Sequence, residues 1–159
     1  MVASPRAARR ATTAVPSEAY ACAQAWVALT AAHARVSSRL AAALAGECNL
    51  TINEFEILLR LDHAGDGGVR LSDLLSAVPL TQPALSRAVA RLAGRGLLAR
   101  SGAPTDGRGI LISLTLAGSQ SLRAAIPVHA QVIRAVLLDN VSATEQDVLA
   151  EVLGRIAAA

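Results

Sequence analysis

Residues 80–95 read Leu80-Thr81-Gln82-Pro83-Ala84-Leu85-Ser86-Arg87-Ala88-Val89-Ala90-Arg91-Leu92-Ala93-Gly94-Arg95. At about 100° per residue, Leu85, Ala88, Val89 and Leu92 fall within one arc of about 100°, the period of an amphipathic helix. Opposite them lie Pro83, Ser86, Arg87, Ala90 and Arg91, with Gln82 at the margin. One face is therefore core. The other interleaves hydroxyl, amide and guanidinium groups with small residues that permit close approach to a surface. Gln82, Ser86 and Arg87 are residue types that hydrogen-bond base edges, and Arg91 and Arg95 can reach phosphates. Thr81 is expected to cap this helix, with Pro83 tolerated in its first turn.

Upstream, Ser72-Asp73 starts a short helix that stops at Pro79. The tight turn Val78-Pro79-Leu80 then joins two helices, the pattern of a helix-turn-helix. Downstream, Gly94-Arg95-Gly96 stops the second helix. Leu97–Arg100 and Ile110–Leu114 read as strands around a loop at 101–109, so a β-hairpin follows directly. Its loop holds Pro104 and an Asp106–Arg108 pair, and an arginine at such a tip suits a narrow minor groove.

Further outward the pattern is helical. Thr51-Ile52-Asn53-Glu54 is a capping box. It opens a helix to about His63, with Phe55, Leu58, Leu59 and Leu61 apolar, closed by Gly65-Asp66-Gly67-Gly68. From Ser17 to Gly46 a long helix carries Cys22, Trp26, Leu29, His33, Val36, Leu40 and Leu44 at steps of three and four, a coiled-coil-like seam. Such a helix needs a packing partner, and a second copy of the chain fits. Thr115 caps a helix to about Leu138, with Leu122, Ile126, His129, Val132, Ile133, Val136 and Leu137 in its stripe and a kink expected at Pro127. Ser142-Ala143-Thr144-Glu145 is a second capping box, opening a last helix with Val148, Leu149, Val152, Leu153 and Ile156. Residues 1–16 lack periodicity and read as a mobile tail. The expected fold is mainly α with a small β-hairpin wing.

Composition narrows the function. The chain has 159 residues, 53% of them hydrophobic, with three aromatics and 35 alanines. All 15 basic residues are arginine, against 12 carboxylates. Residues 70–109 carry +4 and residues 1–10 carry +3, while 11–69 carry −3 and 110–159 carry −1. Basic charge confined to one segment is the footprint of a polyanion partner. Mean hydropathy is +0.43. The charge-free stretch between Glu18 and Arg35 has 16 residues, short of the roughly 20 that a membrane span needs. No membrane association is expected, and the tail lacks the apolar run of a signal peptide. A cytoplasmic protein is the expectation, and Cys22 and Cys48 suit a reducing compartment.

The series Arg70-Leu71-Ser72-Asp73-Leu74, Leu80–Arg87, Leu92, Arg95-Gly96-Leu97-Leu98, Arg100, Asp106-Gly107-Arg108 and Leu114–Gly118 resembles the MarR family of transcriptional regulators over about residues 20–157. The resemblance implies a winged helix-turn-helix lobe at 51–114, dimerisation helices at 17–50 and 115–159, and a homodimer on a pseudo-palindromic operator in double-stranded DNA. It makes Thr81, Gln82, Ala84, Ser86 and Arg87 the major-groove readers and sends Arg108 into the minor groove. Members more often carry a second basic residue in the wing, where Gly107 and Gly109 stand here. Arg70, Arg91, Arg95 and Asp106 complete the expected DNA surface. Three to four phosphates per protomer would give a slope of log K against log salt of about −5 to −7.

Signal-responsive members hold a small ligand, often phenolic or carboxylated, between the dimer helices and the lobe. Trp26, His33, Arg35, His63 and His129 are the candidates, each with an ordinary alternative: Trp26 as dimer core, the histidines as hydrogen-bonded helix residues, Arg35 as an ion-pair partner across the dimer. The expected function is a repressor released by such an effector. A constitutive regulator, a cysteine-based redox sensor using Cys22, and a protein-interaction module are the alternatives. No nucleophile–His–Asp set, paired carboxylates or phosphate-binding glycine loop marks an enzyme. No metal-ligand spacing occurs, and no cofactor is expected.

Overall fold

The computed structural model describes residues 17–102 and 110–158. In chain order they form α1 (Ser17–Cys48), α2 (Ile52–Ala64), β1 (Val69–Arg70), α3 (Leu71–Ala77), α4 (Gln82–Gly94), β2 (Leu98–Gly102), β3 (Ile110–Leu114), α5 (Leu116–Val136) and α6 (Ala143–Ala157). Short 3-10 turns lie at Gly65–Gly67 and Leu138–Asn140. The tail 1–16 and the hairpin tip, with Pro104, Asp106 and Arg108, lie outside the described residues. The chain divides into two compact units, Met1–Ala34 and Arg35–Ala159, with α1 contributing to both.

The core belongs to the second unit. It gathers Phe55, Ile57, Leu58 and Leu61 from α2, Leu74 from α3, and Leu85, Ala88, Val89 and Leu92 from α4. Leu44, Leu50, Leu98, Ile112, Leu122 and Ala125 complete it from the neighbouring elements. Full burial of one such aliphatic side chain contributes about 1.5–3 kcal/mol. The stripe read from residues 85–92 is thus the stripe that is buried. α2 starts at a complete capping box: Glu54 N–H donates to Thr51 Oγ1 (3.2 Å) and Thr51 N–H donates to Glu54 Oε2 (3.0 Å). Ser142 and Glu145 do the same for α6.

The structure refines three expectations. The wing is a three-stranded antiparallel sheet in the order β1-β3-β2, not a hairpin alone. Val69 pairs with Ile112 and Arg70 with Leu111. Two residues are too few to show an alternation, so β1 leaves no periodic trace in the sequence. α3 begins at Leu71 with Arg70 as its N-cap, not at Ser72-Asp73. α1 runs through Gly46 to Cys48. It ends where Asn49 adopts φ +52°, a left-handed conformation that asparagine tolerates better than most residues.

A joint ties α5 to the end of α4. Thr115 Oγ1 accepts from Gly118 N–H (3.0 Å) and donates to the Gly96 carbonyl (2.7 Å). Thr115 N–H donates to the Leu97 carbonyl (3.1 Å). A Cβ on Gly118 would collide with the Leu97 carbonyl oxygen and sit 3.1 Å from Leu114 Cδ2, so only glycine fits.

Other apolar residues stay outside this core. On the α1 seam, Leu40 and Leu44 are buried and Val36 is half-buried, while Cys22, Trp26, Leu29 and His33 are exposed. In α6, Val148, Leu149, Leu153 and Ile156 are exposed. The segment Leu116–Asn140 is long and apolar enough to cross a membrane by length and composition. It nonetheless contains Arg123 and Arg134 and buries Leu122 and Ala125 in the core, as a helix at the edge of a folded lobe does.

Candidate nucleic-acid interface

α4 presents two faces of opposite character. Leu85, Ala88, Val89 and Leu92 are locked into the core, while Gln82, Pro83, Ser86, Arg87, Ala90 and Arg91 are exposed. Ala84 is half-buried between them. Thr81 takes the N-cap backbone conformation (φ −72°, ψ 153°), but its hydroxyl caps nothing. That corrects the expected side-chain cap. The hydroxyl is left exposed beside Gln82. α3 and α4 are joined as expected, with Leu80 N–H donating to the Val78 carbonyl (2.8 Å).

The arginines divide by partner. Arg87 makes no ion pair with any described residue. Arg70 is half-buried in β1 and is engaged in an interaction of its own. Arg91 and Arg95 have a partner that the sequence reading missed. Arg91 Nε donates to Glu54 Oε1 (3.1 Å), and Arg95 Nη1 lies 3.8 Å from Glu54 Oε2. Glu54 is buried to 4% exposure. Burial alone would raise its pKa. The Thr51 backbone N–H and hydroxyl and the Arg91 guanidinium outweigh burial and hold the carboxyl below its usual range. A signal was present: Glu54 lies on the helical stripe of Leu58 and Leu61, a charge in a core position. The capping box engages Oε2, which leaves Oε1 for a partner on another element.

Trp26 and His33 lie in the first unit, and Arg35, His63 and His129 in the second. His63 is exposed in the last turn of α2. His129 is half-buried on α5 and stacks on Phe55, ring centroids 4.7 Å apart. Burial pushes its pKa down, with Glu56 opposing. A cavity of about 860 Å³ opens between α1 and α5, lined by Arg35, Arg39, Glu47, Gln131, Asn140 and alanine and valine side chains. Of the candidates it takes Arg35; neither His63 nor His129 lines it.

Cysteine chemistry gains no support. Cys22 is exposed and Cys48 half-buried, and neither is in a disulfide. Burial and the neighbouring Glu47 push the Cys48 thiol up, away from the reactive thiolate. Among the described residues no three His, Cys, Asp or Glu side chains could hold a metal ion.

The profile described as MarR family matches residues 49–109. The fold is similar to that of a probable transcriptional regulator from Pseudomonas aeruginosa, 30% identical, with 77% of this chain and 91% of that one covered and a TM-score of 0.67. It is similar to Sco3205, a MarR family transcriptional regulator from Streptomyces coelicolor solved in complex with DNA, at 25% identity and a TM-score of 0.81 over 90% and 91% of the two chains. The chain belongs to the MarR family.

A third similar structure is the PcaV transcriptional regulator from Streptomyces coelicolor in complex with its natural ligand, 26% identical, covering 92% and 99%, with a TM-score of 0.71. No curated protein matches. In this MarR family chain the profile match runs from just before α2 to residue 109, short of β3. It leaves α1, α5 and α6 almost wholly outside, while the structural likeness reaches across them.

Proposed function

We propose that this chain is a sequence-specific DNA-binding transcriptional regulator of repressor type, active as a homodimer and released from its operator by a small effector. The outward face of α4 carries the reading. Gln82, Ser86 and Arg87 stand exposed and rigidly backed by a buried opposite face. Rigid presentation is what base readout needs, because a bidentate contact has a fixed geometry. Arg87 pairs best with guanine O6 and N7, and Gln82 with adenine. Thr81 and Ala84 flank them, Ala84 offering a methyl group to a thymine. Arg70 and Arg108, with Asp106 as its neighbour, belong to the wing in this reading, and the lobe is 51–114 between dimerisation helices 17–50 and 115–159. The DNA partner places its action in the cytoplasm.

The solved Sco3205 complex with DNA supports the partner, and the PcaV complex with its natural ligand supports a releasing effector. In this chain the cavity between α1 and α5 offers Arg35 and Arg39 to a carboxylate and an alanine–valine wall to its apolar body. The test is fluorescence anisotropy with duplexes from the gene's own upstream region and with random duplex. Arg87→Ala should weaken specific binding by about 1–3 kcal/mol and leave random-duplex binding almost unchanged. Equal loss on both duplexes would remove Arg87 from base readout. Absence of any shift on any duplex would remove the DNA reading.

A further inference from the structure

We propose that Glu54 is a positioning residue that withholds Arg91 and Arg95 from the phosphate backbone, so that these two cations brace α4 against α2 and the lobe binds DNA with fewer phosphate contacts than its arginine count implies. The inference rests on the DNA reading for its consequence. The clamp itself does not.

The observations are geometric. A carboxylate exposed to only 4% faces two guanidinia from one turn of α4, at 3.1 and 3.8 Å. The Glu54 carboxylate cannot turn away, because Oε2 also accepts from Thr51 N–H, at 3.0 Å, as half of the cap of α2. Arg95 is the C-cap residue of α4, and Arg91 lies in its last turn, where positive charge also suits the helix dipole. The three side chains line a cleft of about 320 Å³ together with Thr51 and Asn49. A buried carboxylate that lost its cations would be left uncompensated, which opposes their release. The Arg91 and Arg95 side chains keep 55% and 33% of their surface exposed, but the carboxylate that they face is only 5% exposed, so a phosphate must compete with a partner already in place and desolvated on its own side. By contrast, the ion pair Glu151–Arg155 in α6 is 70% exposed on both sides, at 3.6 Å, and such a pair exchanges freely with solvent ions.

The withheld charge is countable. Two guanidinia per protomer make four per dimer, and each phosphate contact contributes about −0.9 to the slope of log K against log salt. The wild-type slope on random duplex is then expected near −2 to −3 rather than the −5 to −7 expected if all were engaged. Glu54→Gln is the test, because glutamine at this position keeps the reach-back to Thr51 N–H while removing the charge. It should steepen the slope by roughly three to four and tighten random-duplex binding at low salt. Adding Arg91→Gln and Arg95→Gln to Glu54→Gln should cancel that gain. Glu151→Gln, matched in net charge, should leave the slope where it was.

A wild-type slope of −5 or steeper, or a Glu54→Gln change no larger than that of Glu151→Gln, overturns the proposal. Elution from immobilised heparin separates it from the DNA reading. If no duplex binds, later elution of Glu54→Gln than of Glu151→Gln still supports the clamp, and equal elution overturns it. A thermal melt confirms that Glu54→Gln remains folded before either arm is read.

Discussion

Leu58 of α2 is fully buried, whereas Leu153 of α6 keeps 39% of its surface exposed, although both belong to apolar stripes of helical period. The contrast extends to their surroundings. The lobe from α2 to β3, together with Leu44 of α1 and Leu122 and Ala125 of α5, closes a core in which Leu58, Leu74, Val89, Leu92 and Ile112 are at zero exposure. The first half of α1 and the whole of α6 do not: Trp26 is 67% exposed and Ile156 59%. An exposed apolar stripe of helical period is a surface that a partner can cover. This core is closed within one chain; for the exposed stripes of α1 and α6 a second copy is the proposed occupant.

Paired substitutions can break this contrast. Leu58→Ala should cost about 2–5 kcal/mol in urea unfolding at any protein concentration, because it leaves a cavity in a closed core. Leu153→Ala should change dilute-sample stability by less than about 1 kcal/mol yet raise the dimer dissociation constant about tenfold or more in sedimentation velocity. Equal, concentration-independent losses at both positions would put α6 inside the same core and erase the distinction.

Two glycines sharpen it at smaller scale. Gly118→Ala drives a methyl into the Leu97 carbonyl and should cost about 1–3 kcal/mol. Gly154→Ala meets nothing within 4 Å and should stabilise α6 by about 0.5–1 kcal/mol in dilute solution. If Gly154→Ala instead weakens the dimer, the α6 surface around it is in close contact with the partner.

The smallest effect is set by pH and belongs to the lobe side. His129, stacked on Phe55, has its pKa pushed below the ordinary 6.5 by burial. Below pH 6.5 the unfolded chain takes up a proton that the folded chain refuses, so stability declines until the folded pKa is reached. The melting temperature should fall slightly between pH 7.5 and 5.5, and His129→Gln should flatten that slope. Glu54 does not contribute in this window: its depressed pKa gives a stability that is present above its ordinary 4.5 and is lost only as pH falls through the lower folded value.

The fold was largely legible in the sequence because its signals are local. Thr51-Ile52-Asn53-Glu54 and Ser142–Glu145 place helix starts within four residues, and both boxes form. The 85–88–89–92 spacing names the buried face of α4 one residue at a time. The exposed Gln82, Ser86 and Arg87 follow as the remainder of that helix. What escaped is non-local or too short. β1 is two residues long, and it exists because β3 offers a free edge more than 40 residues later. Arg91 and Glu54 are 37 residues apart, so no spacing rule connects them. The Thr115 hydroxyl caps α5, as its position predicts, but its donation to Gly96 crosses 19 residues.

Residue order alone thus determined which segments are helices, which face of each is apolar, and that basic charge gathers in residues 70–109, because periodicity, capping and charge are properties of neighbours in the chain. Only the tertiary structure decided which apolar stripes are satisfied within one chain and which of the gathered arginines are already spoken for. Burial and ion pairing depend on what another segment brings within a few ångströms, and that is a property of packing.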